Sequence, residues 1–191
     1  AKLAETGVPT PINGADAFAI GGGLSPKRLT VDAGSSGGTT LVATEREVKL
    51  SLANGAKVNL PLAGMGIDTT LQVRPVSAEE ATVSSTAPPF ARSLLASDGI
   101  SIDLQPPLDF SLTFPVKPPP AGWVGRRALV SYTLHWLDAI TNEWRPVCSR
   151  FGIHDLDQTL GTVTAGVGTD VQSDQGFNPI GQCHIVLQSK C

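Results

Sequence analysis

The most constraining feature of this sequence is an alternation of apolar and polar residues with a period of two. Segments 47–52 and 57–62 both alternate in this way, with valine or leucine at every second position. Because successive side chains of a β-strand point to opposite faces, each segment is expected to bury one face of a strand. Asn54 and Gly55 lie between them and favour a tight turn with positive φ angles. The two segments are therefore predicted to form a β-hairpin.

The same alternation recurs along the chain. Further strands are predicted at 69–75, 100–104, 110–116, 128–136, 143–148, 160–167 and 183–188. Helical character is confined to a short capped turn over 77–81, and residues 82–98 read as a long surface connection. No crossover helices are available for a parallel α/β sheet. We expect an all-β fold, an antiparallel β-sandwich of roughly ten strands.

The first part of the chain has a different character. It contains Pro9, Pro11 and a run of three glycines at 21–23, with few apolar residues at alternating positions. We interpret residues 1–25 as an extended arm or linker and residues 26–191 as the β-sandwich domain. A first strand over 15–20 is the alternative. An arm of this kind is suited to adding a strand to an open sheet edge of a neighbouring subunit.

Charge and hydropathy exclude several classes of protein. The net charge is −3 and charged residues make up 16% of the chain, so it lacks the basic footprint that nucleic acid requires. Hydrophobic residues make up 41%, which is too many for a disordered chain. No apolar run approaches the ~18 residues that a membrane span needs, so we expect no membrane span in this chain.

The sequence contains no recognisable catalytic signature. It has neither a G-x-S-x-G nucleophile elbow nor the C-x₂-C spacing of many zinc sites, and its glycine runs lack the Lys-Ser/Thr of a phosphate loop. His154 with Asp155 and Asp157 is interpreted as a polar surface turn, not a metal site. His135 alternates with Trp136 and is expected to face solvent. We therefore expect a protein without catalytic residues, metal or cofactor.

The tryptophans are the candidate contact residues. Trp123 lies in a loop rich in proline and glycine, where it either anchors a protein partner or a glycan or folds back as a lid on the sandwich. Trp136 and Trp144 flank a turn and are expected to pack in the core. A module that stacks a sugar ring on Trp123, Tyr132 or another tryptophan is the alternative.

Two stretches of the chain resemble known extracellular domains. Residues 56–61 followed by 68–75 resemble the strand–turn–strand of ZU5-type domains. Trp136, Trp144, Cys148 and the segment 183–187 resemble the GPS region of GAIN domains. The resemblance covers about two thirds of the chain, and it implies a β-sandwich from an extracellular or cell-surface protein.

The sequence departs from the GPS pattern at the cleavage position. GPS regions cleave their own chain before a threonine or serine that follows His–Leu, whereas the matching residues here are His184, Ile185 and Val186. Valine has no hydroxyl group to attack the preceding carbonyl. These residues are therefore degenerate cleavage-site positions, and no self-cleavage is expected.

The resemblance also implies a disulfide between Cys148 and Cys183. Closing a loop of this size contributes about 3–4 kcal/mol. Two free thiols, or a Cys183–Cys191 bridge, are the alternatives that the sequence leaves open. Cys191 is the last residue of the sequence and is expected to bridge to another subunit or to a residue outside this chain.

These observations favour a non-enzymatic structural or adhesive module. We expect it to belong to a larger extracellular, cell-surface or filament-forming protein and to act through protein–protein contacts, including contacts with copies of itself. A carbohydrate-binding module and a degenerate autoproteolytic domain of the GPS type are the alternatives.

Overall fold

The structure is a computed structural model. It describes residues 2–20, 26–35, 37–65, 68–77, 97–106, 108–117, 130–138, 143–146, 155–157, 162–167 and 181–189. The predicted helical turn at 77–81 and the connection at 82–98 lie almost entirely outside these residues. The described residues are dominated by strands, consistent with the all-β class, with one short 3-10 turn over Leu62–Gly64.

The described residues form fifteen strands, compared with the roughly ten expected from the sequence. Their bounds are β1 Lys2–Leu3, β2 Thr10–Pro11, β3 Ala15–Ile20, β4 Lys27–Asp32, β5 Thr40–Ala43, β6 Glu47–Ser51, β7 Lys57–Pro61, β8 Asp68–Val76, β9 Gly99–Gln105, β10 Phe110–Pro115, β11 Val130–Asp138, β12 Glu143–Pro146, β13 Asp155–Asp157, β14 Thr162–Val167 and β15 Gly181–Ser189. Strands β1, β2, β4, β5 and β13 are additional to the segments that the alternation singled out.

The strands are arranged in two sheets. The eight-stranded sheet has the order β1-β3-β4-β8-β9-β15-β11-β12, and the seven-stranded sheet has the order β13-β14-β10-β7-β6-β5-β2. The seven-stranded sheet is antiparallel throughout, as expected. The eight-stranded sheet is mixed, because β1 is parallel to β3 and β4 is parallel to β8.

The parallel pair β4/β8 needs no helix. After β4 the chain leaves the eight-stranded sheet, forms β5, β6 and β7 in the other sheet, and returns as β8. A parallel pair requires a long crossover connection, and three strands supply it here as well as a helix would. The expectation of a purely antiparallel arrangement is therefore wrong for this sheet.

The predicted hairpin is confirmed. Strands β6 and β7 pair with each other, and Gly55 in their turn has a φ of +84°, which glycine adopts at little cost. The N–H of Leu52 donates to the carbonyl oxygen of Ala56 at 2.9 Å, which closes the turn.

One hydrophobic cluster contains buried residues from both sheets. Its largest fully buried members include Phe18, Leu29 and Leu71 from the eight-stranded sheet and Leu50, Leu60 and Phe114 from the seven-stranded sheet. Burying a side chain of this size contributes about 1.5–3 kcal/mol. The apolar positions of the alternating segments therefore provide the main stabilisation of the fold.

The first residues of the chain belong to the two sheets. The sequence left residues 15–20 either as part of an extended arm or as a first strand. They form strand β3, which pairs along its whole length with β4 and buries Phe18 and Ile20. Residues 2–3 and 10–11 form β1 and β2 at sheet edges. Residues 2–20 therefore do not extend away from the sheets as an arm.

Candidate functional site

Residues 2–12 connect an edge of one sheet to an edge of the other, and we call them the edge segment. Its strand β1 is the outermost strand of the eight-stranded sheet, next to β3. Its strand β2 is the outermost strand of the seven-stranded sheet, next to β5. The segment thus covers backbone donors and acceptors at an edge of both sheets, where an uncovered strand invites pairing with another chain.

The edge segment is held by few backbone contacts. Each of its strands is only two residues long. Three further N–H groups donate to neighbouring carbonyl oxygens: Ala4 to Ala19 at 3.2 Å, Gly7 to Ala43 at 2.7 Å and Ile12 to Thr39 at 2.9 Å. An exposed ion pair, Lys2 Nζ to Asp16 Oδ1 at 3.3 Å, adds a weak contact to β3.

The two sides of the edge segment have opposite environments. Ile12 is 1% exposed and belongs to the hydrophobic core, and Ala4 packs against that core. Leu3 is 75% exposed and Val8 is 47% exposed, and they are the exposed large hydrophobic residues among those whose side-chain burial the structure describes, which excludes nearly all of β11 to β15. The segment therefore presents apolar surface to solvent where it crosses the sheet edges.

A second feature is a groove on the polar face of the eight-stranded sheet. It has a volume of about 390 Å³, and its polar lining comes from Asp32 on β4, Gln72 and Arg74 on β8, and Ser101 and Asp103 on β9. Asp32 and Asp103 are the register partners of Gln72 on its two sides. This places an acceptor, an amide and a second acceptor in one row across three strands, which suits a hydrogen-bonding ligand.

The two carboxylates of the groove are oriented by hydrogen bonds. Asp32 Oδ1 accepts from the N–H of Gly34 at 2.9 Å. Asp103 Oδ1 accepts from Gln105 Nε2 at 3.2 Å. Each contact engages one carboxylate oxygen and fixes the side chain relative to the sheet.

Glu47 is a carboxylate on the polar face of the seven-stranded sheet with two side-chain partners. Lys49 Nζ lies 2.9 Å from its Oε1, and Asn59 Nδ2 donates to its Oε2 at 2.8 Å. The hydrogen bond from Lys49, followed by that from Asn59, lowers the pKa of Glu47 below its usual range. A carboxylate held in its ionised form by two donors is suited to a structural role, not to proton donation.

The three residues that the sequence predicts to be degenerate cleavage-site positions lie in an interior strand. His184, Ile185 and Val186 belong to β15, where they are in register with residues 133–135 of β11. Strand β9 lies on the other side of β15 and pairs with it only at residues 181–183. Cys183 is in register with both Trp136 and Ile100. Cys148, Cys191 and Trp123 lie outside the described residues, as does His154.

The expectation that His135 faces solvent is wrong. His135 is 6% exposed. Alternation assigns it to the face opposite Trp136, but it does not say whether that face is open. Strand β11 is an interior strand, with β15 on one side and β12 on the other, so His135 has neighbouring strands on both sides.

Two other kinds of site, a metal centre and a membrane-spanning helix, have no counterpart in the described residues. Within the described residues, no group of three or more His, Cys, Asp or Glu side chains is placed to hold a metal ion. The same part of the chain contains no helix with the length and apolarity to cross a membrane.

Comparison with known proteins gave no relative. No family model, no curated protein and no solved structure matches this chain.

Sequence reasoning assigned residues 1–25 to an extended arm suited to strand addition on a neighbouring subunit, but it did not predict the two short edge strands or the groove. Leu3 and Val8 are isolated apolar residues in a segment with little alternation, so no periodic signal marks them. The groove joins residues that lie far apart in the chain, and only the pairing of β4 with β8 and of β8 with β9 brings them together. The proline at position 11 was the available signal for β2, because proline within sheets is confined mainly to edge strands.

Proposed function

We propose that this chain is a non-enzymatic structural or adhesive module of a larger extracellular, cell-surface or filament-forming protein. It acts through protein–protein contacts, including contacts with copies of itself, and its two sheets pack as a β-sandwich. The observation that carries the proposal is the exposure of Leu3 and Val8 on the edge segment.

The apolar surface of the edge segment supports a protein partner. A single exposed leucine on a protein surface is unremarkable. Here the two exposed large hydrophobics among the residues whose side-chain burial is described both lie on one short segment, Leu3 on β1 and Val8 between β1 and β2. Fully burying a side chain of this size contributes about 1.5–3 kcal/mol, and covering the exposed fractions of Leu3 and Val8 contributes part of this for each.

Incomplete edge pairing supports the same surface. Strand β1 pairs only with Phe18 and Ala19, so no described strand pairs with residues 15–17 on that side of β3. Main-chain donors and acceptors at such an edge can pair with an extended segment of another protein. Leu3 lies on β1 and Val8 follows in the same segment, so exposed apolar side chains and sheet-edge backbone occur together, and these are the two requirements of strand addition.

Sedimentation velocity of the purified chain tests this contact. We expect the weight-average sedimentation coefficient to rise with concentration, and the double variant Leu3→Ser/Val8→Ser to weaken the association by about tenfold or more. Lys57→Ser, which changes an exposed side chain on β7, is the matched control and should associate like the unaltered chain. Association that is absent, or equal in all three proteins, would refute the proposal.

The resemblance to ZU5 and GAIN domains supports the extracellular setting. It predicts a disulfide between Cys148 and Cys183, which disulfide mapping under non-reducing conditions tests directly. It also predicts an intact chain, because Val186 replaces the nucleophile. A mass spectrum with a fragment that starts at Val186 would contradict that assignment.

The groove supports a second candidate function, glycan binding. Sugars are recognised by planar polar side chains, and the groove combines Asp32, Gln72 and Asp103 in one row with Arg74 beside it. This candidate relies on the polar row of the groove, whereas the alternative predicted from the sequence relied on stacking a sugar ring on Trp123, Tyr132 or another tryptophan. Binding of a glycan-array ligand that is lost in Asp103→Asn and kept in Lys57→Ser would support it, and binding unaffected by Asp103→Asn would refute it.

A further inference from the structure

We infer that the two sheet edges under the edge segment form a strand-acceptor site that takes residues 2–12 from a second copy of the chain. The inference rests on the proposed function in that both assign a second copy as the partner. It goes further by exchanging a part of the fold between copies, so that Ile12 of one copy completes the core of the other.

The acceptor strands do not depend on the edge segment for their own pairing. Strand β3 pairs with β4 at all of its residues, Ala15–Ile20. Strand β5 pairs with β6 at all of its residues, Thr40–Ala43. Both acceptor edges are therefore expected to stay formed while the segment leaves.

The contacts that hold the segment are local and can be made equally well by another copy. They comprise two pairings of two residues each, three further backbone hydrogen bonds, the Lys2–Asp16 ion pair, the partly buried Ala4 and one fully buried side chain, that of Ile12. An identical segment from a second copy restores each of these contacts at the same positions. Exchange of an identical element between protomers is a low-cost route to assembly for this reason.

Gly14 provides a suitable hinge. It lies between the edge segment and β3 and has a φ of +68°, and a Cβ atom at this position would meet no atom within 4 Å. A glycine in open space can change its backbone angles without a steric penalty. Rotation there swings residues 2–12 away while β3 keeps its place.

The acceptor site is selective for this sequence. The pocket for Ile12 is part of the hydrophobic core, since Ile12 is 1% exposed. Pro11 is in register with Thr40 on an edge strand, a position that tolerates the missing N–H of proline. The Lys2–Asp16 ion pair adds a charge preference at the other end. A second copy of the chain satisfies all three requirements at once.

A peptide added to the full chain tests the inference. The probe is an unlabelled synthetic peptide of residues 2–13, added to the ¹⁵N-labelled chain and followed by amide NMR. Because the chain's own segment is tethered at an effective concentration of about millimolar, the peptide must reach about that concentration to compete. We expect the chain's Ala4, Gly7 and Ile12 amides to move to unfolded positions, while the amides of β3 and β5 stay close to their original positions.

Two peptide variants make the result specific without altering the folded chain. The Ile12→Asp peptide should compete at least about tenfold more weakly, because it places a charge in the core. The Leu3→Ser/Val8→Ser peptide should compete like the original, because both residues face solvent. No displacement by the original peptide, or equal displacement by the Ile12→Asp peptide, would overturn the inference.

The outcomes separate this inference from the proposed function. Displacement by the peptide in a chain whose sedimentation shows no dependence on Leu3 and Val8 would keep the acceptor site and refute the exposed patch as a contact. Association that depends on Leu3 and Val8, in a chain whose own segment the peptide does not displace, would keep these residues as the contact and refute the acceptor site.

Discussion

The side-chain amide of Asn54 donates a hydrogen bond from Nδ2 to the carbonyl oxygen of Gly99, at 2.9 Å. This bond runs from the β6–β7 turn of the seven-stranded sheet to the first residue of β9 in the eight-stranded sheet. The Oδ1 atom of the same side chain accepts from the N–H of Ala56 at 3.1 Å. One residue thus shapes the hairpin turn and also joins the two sheets.

Two substitutions separate these roles of Asn54. Asn54→Asp keeps an acceptor for the Ala56 N–H but replaces the donor to Gly99 with a carboxylate oxygen that faces the carbonyl oxygen, so we expect a loss of at least about 1 kcal/mol in the free energy of unfolding. Asn54→Ala loses both bonds and should cost about 2 kcal/mol. Urea denaturation measures both values. Unchanged stability in Asn54→Asp would show that the bond between the sheets contributes nothing.

Gly55 is required for its backbone angle and for space. An added Cβ atom would lie 2.9 Å from Cγ of Pro115, at a φ of +84°. Gly34 has a φ of +64° with no atom near its Cβ position, so it isolates the cost of the angle. Thermal or urea unfolding should show a loss of about 1 kcal/mol for Gly34→Ala and at least about 1 kcal/mol more for Gly55→Ala. Equal losses would mean that the contact with Pro115 relaxes freely.

The contacts of Glu47 predict a dependence of stability on pH. Hydrogen bonds from Lys49 and Asn59 lower the pKa of Glu47 in the folded chain. A group with a lowered folded pKa contributes stability above its unfolded pKa, and this contribution is lost as pH falls through the folded pKa. The unaltered chain should therefore be more stable than Glu47→Gln at neutral pH, and the difference should shrink in acid. A stability difference between the two proteins that stays constant from neutral to acidic pH would contradict the lowered pKa of Glu47.

Ile12 is predicted to anchor the edge segment. Truncation of a fully buried isoleucine to alanine costs about 2 kcal/mol or more. Ile12→Ala should therefore speed hydrogen exchange at the amides of Ala4 and Gly7 by about thirtyfold, since both donate hydrogen bonds that hold the segment. Leu3→Ala, which changes an exposed side chain, should leave these rates close to their original values. Similar rates in both variants would show that Ile12 does not hold the segment.

Local patterns in the sequence predicted local structure. The alternation in 47–52 and 57–62, with Asn54 and Gly55 between them, contains all the information that a hairpin needs, because its strands pair across a short turn. The strands at 69–75 and 110–116 follow from the same alternation. These segments are close to β6, β7, β8 and β10 of the structure.

Long-range relationships were not available from the sequence. Alternation defines which side chains share a face, but not which strands are neighbours, so the parallel register of Val31 with Leu71 had no local signal. The burial of His135 likewise had no local signal, because alternation assigns a residue to a face but does not say whether that face is covered. The sequence placed the edge segment in an extended arm and did not predict its two strands, because each is two residues long and too short to show a period.

Site-specific photo-crosslinking from position 3 tests the central claim most directly. A photoreactive side chain in place of Leu3 should crosslink two copies of the chain, with the attachment on the edge segment or β3 of the second copy. The same group in place of Lys57, an exposed residue of β7 in the seven-stranded sheet, should give no such product. Crosslinks absent from position 3, or equally abundant from position 57, would contradict the claim that the edge segment is the contact surface.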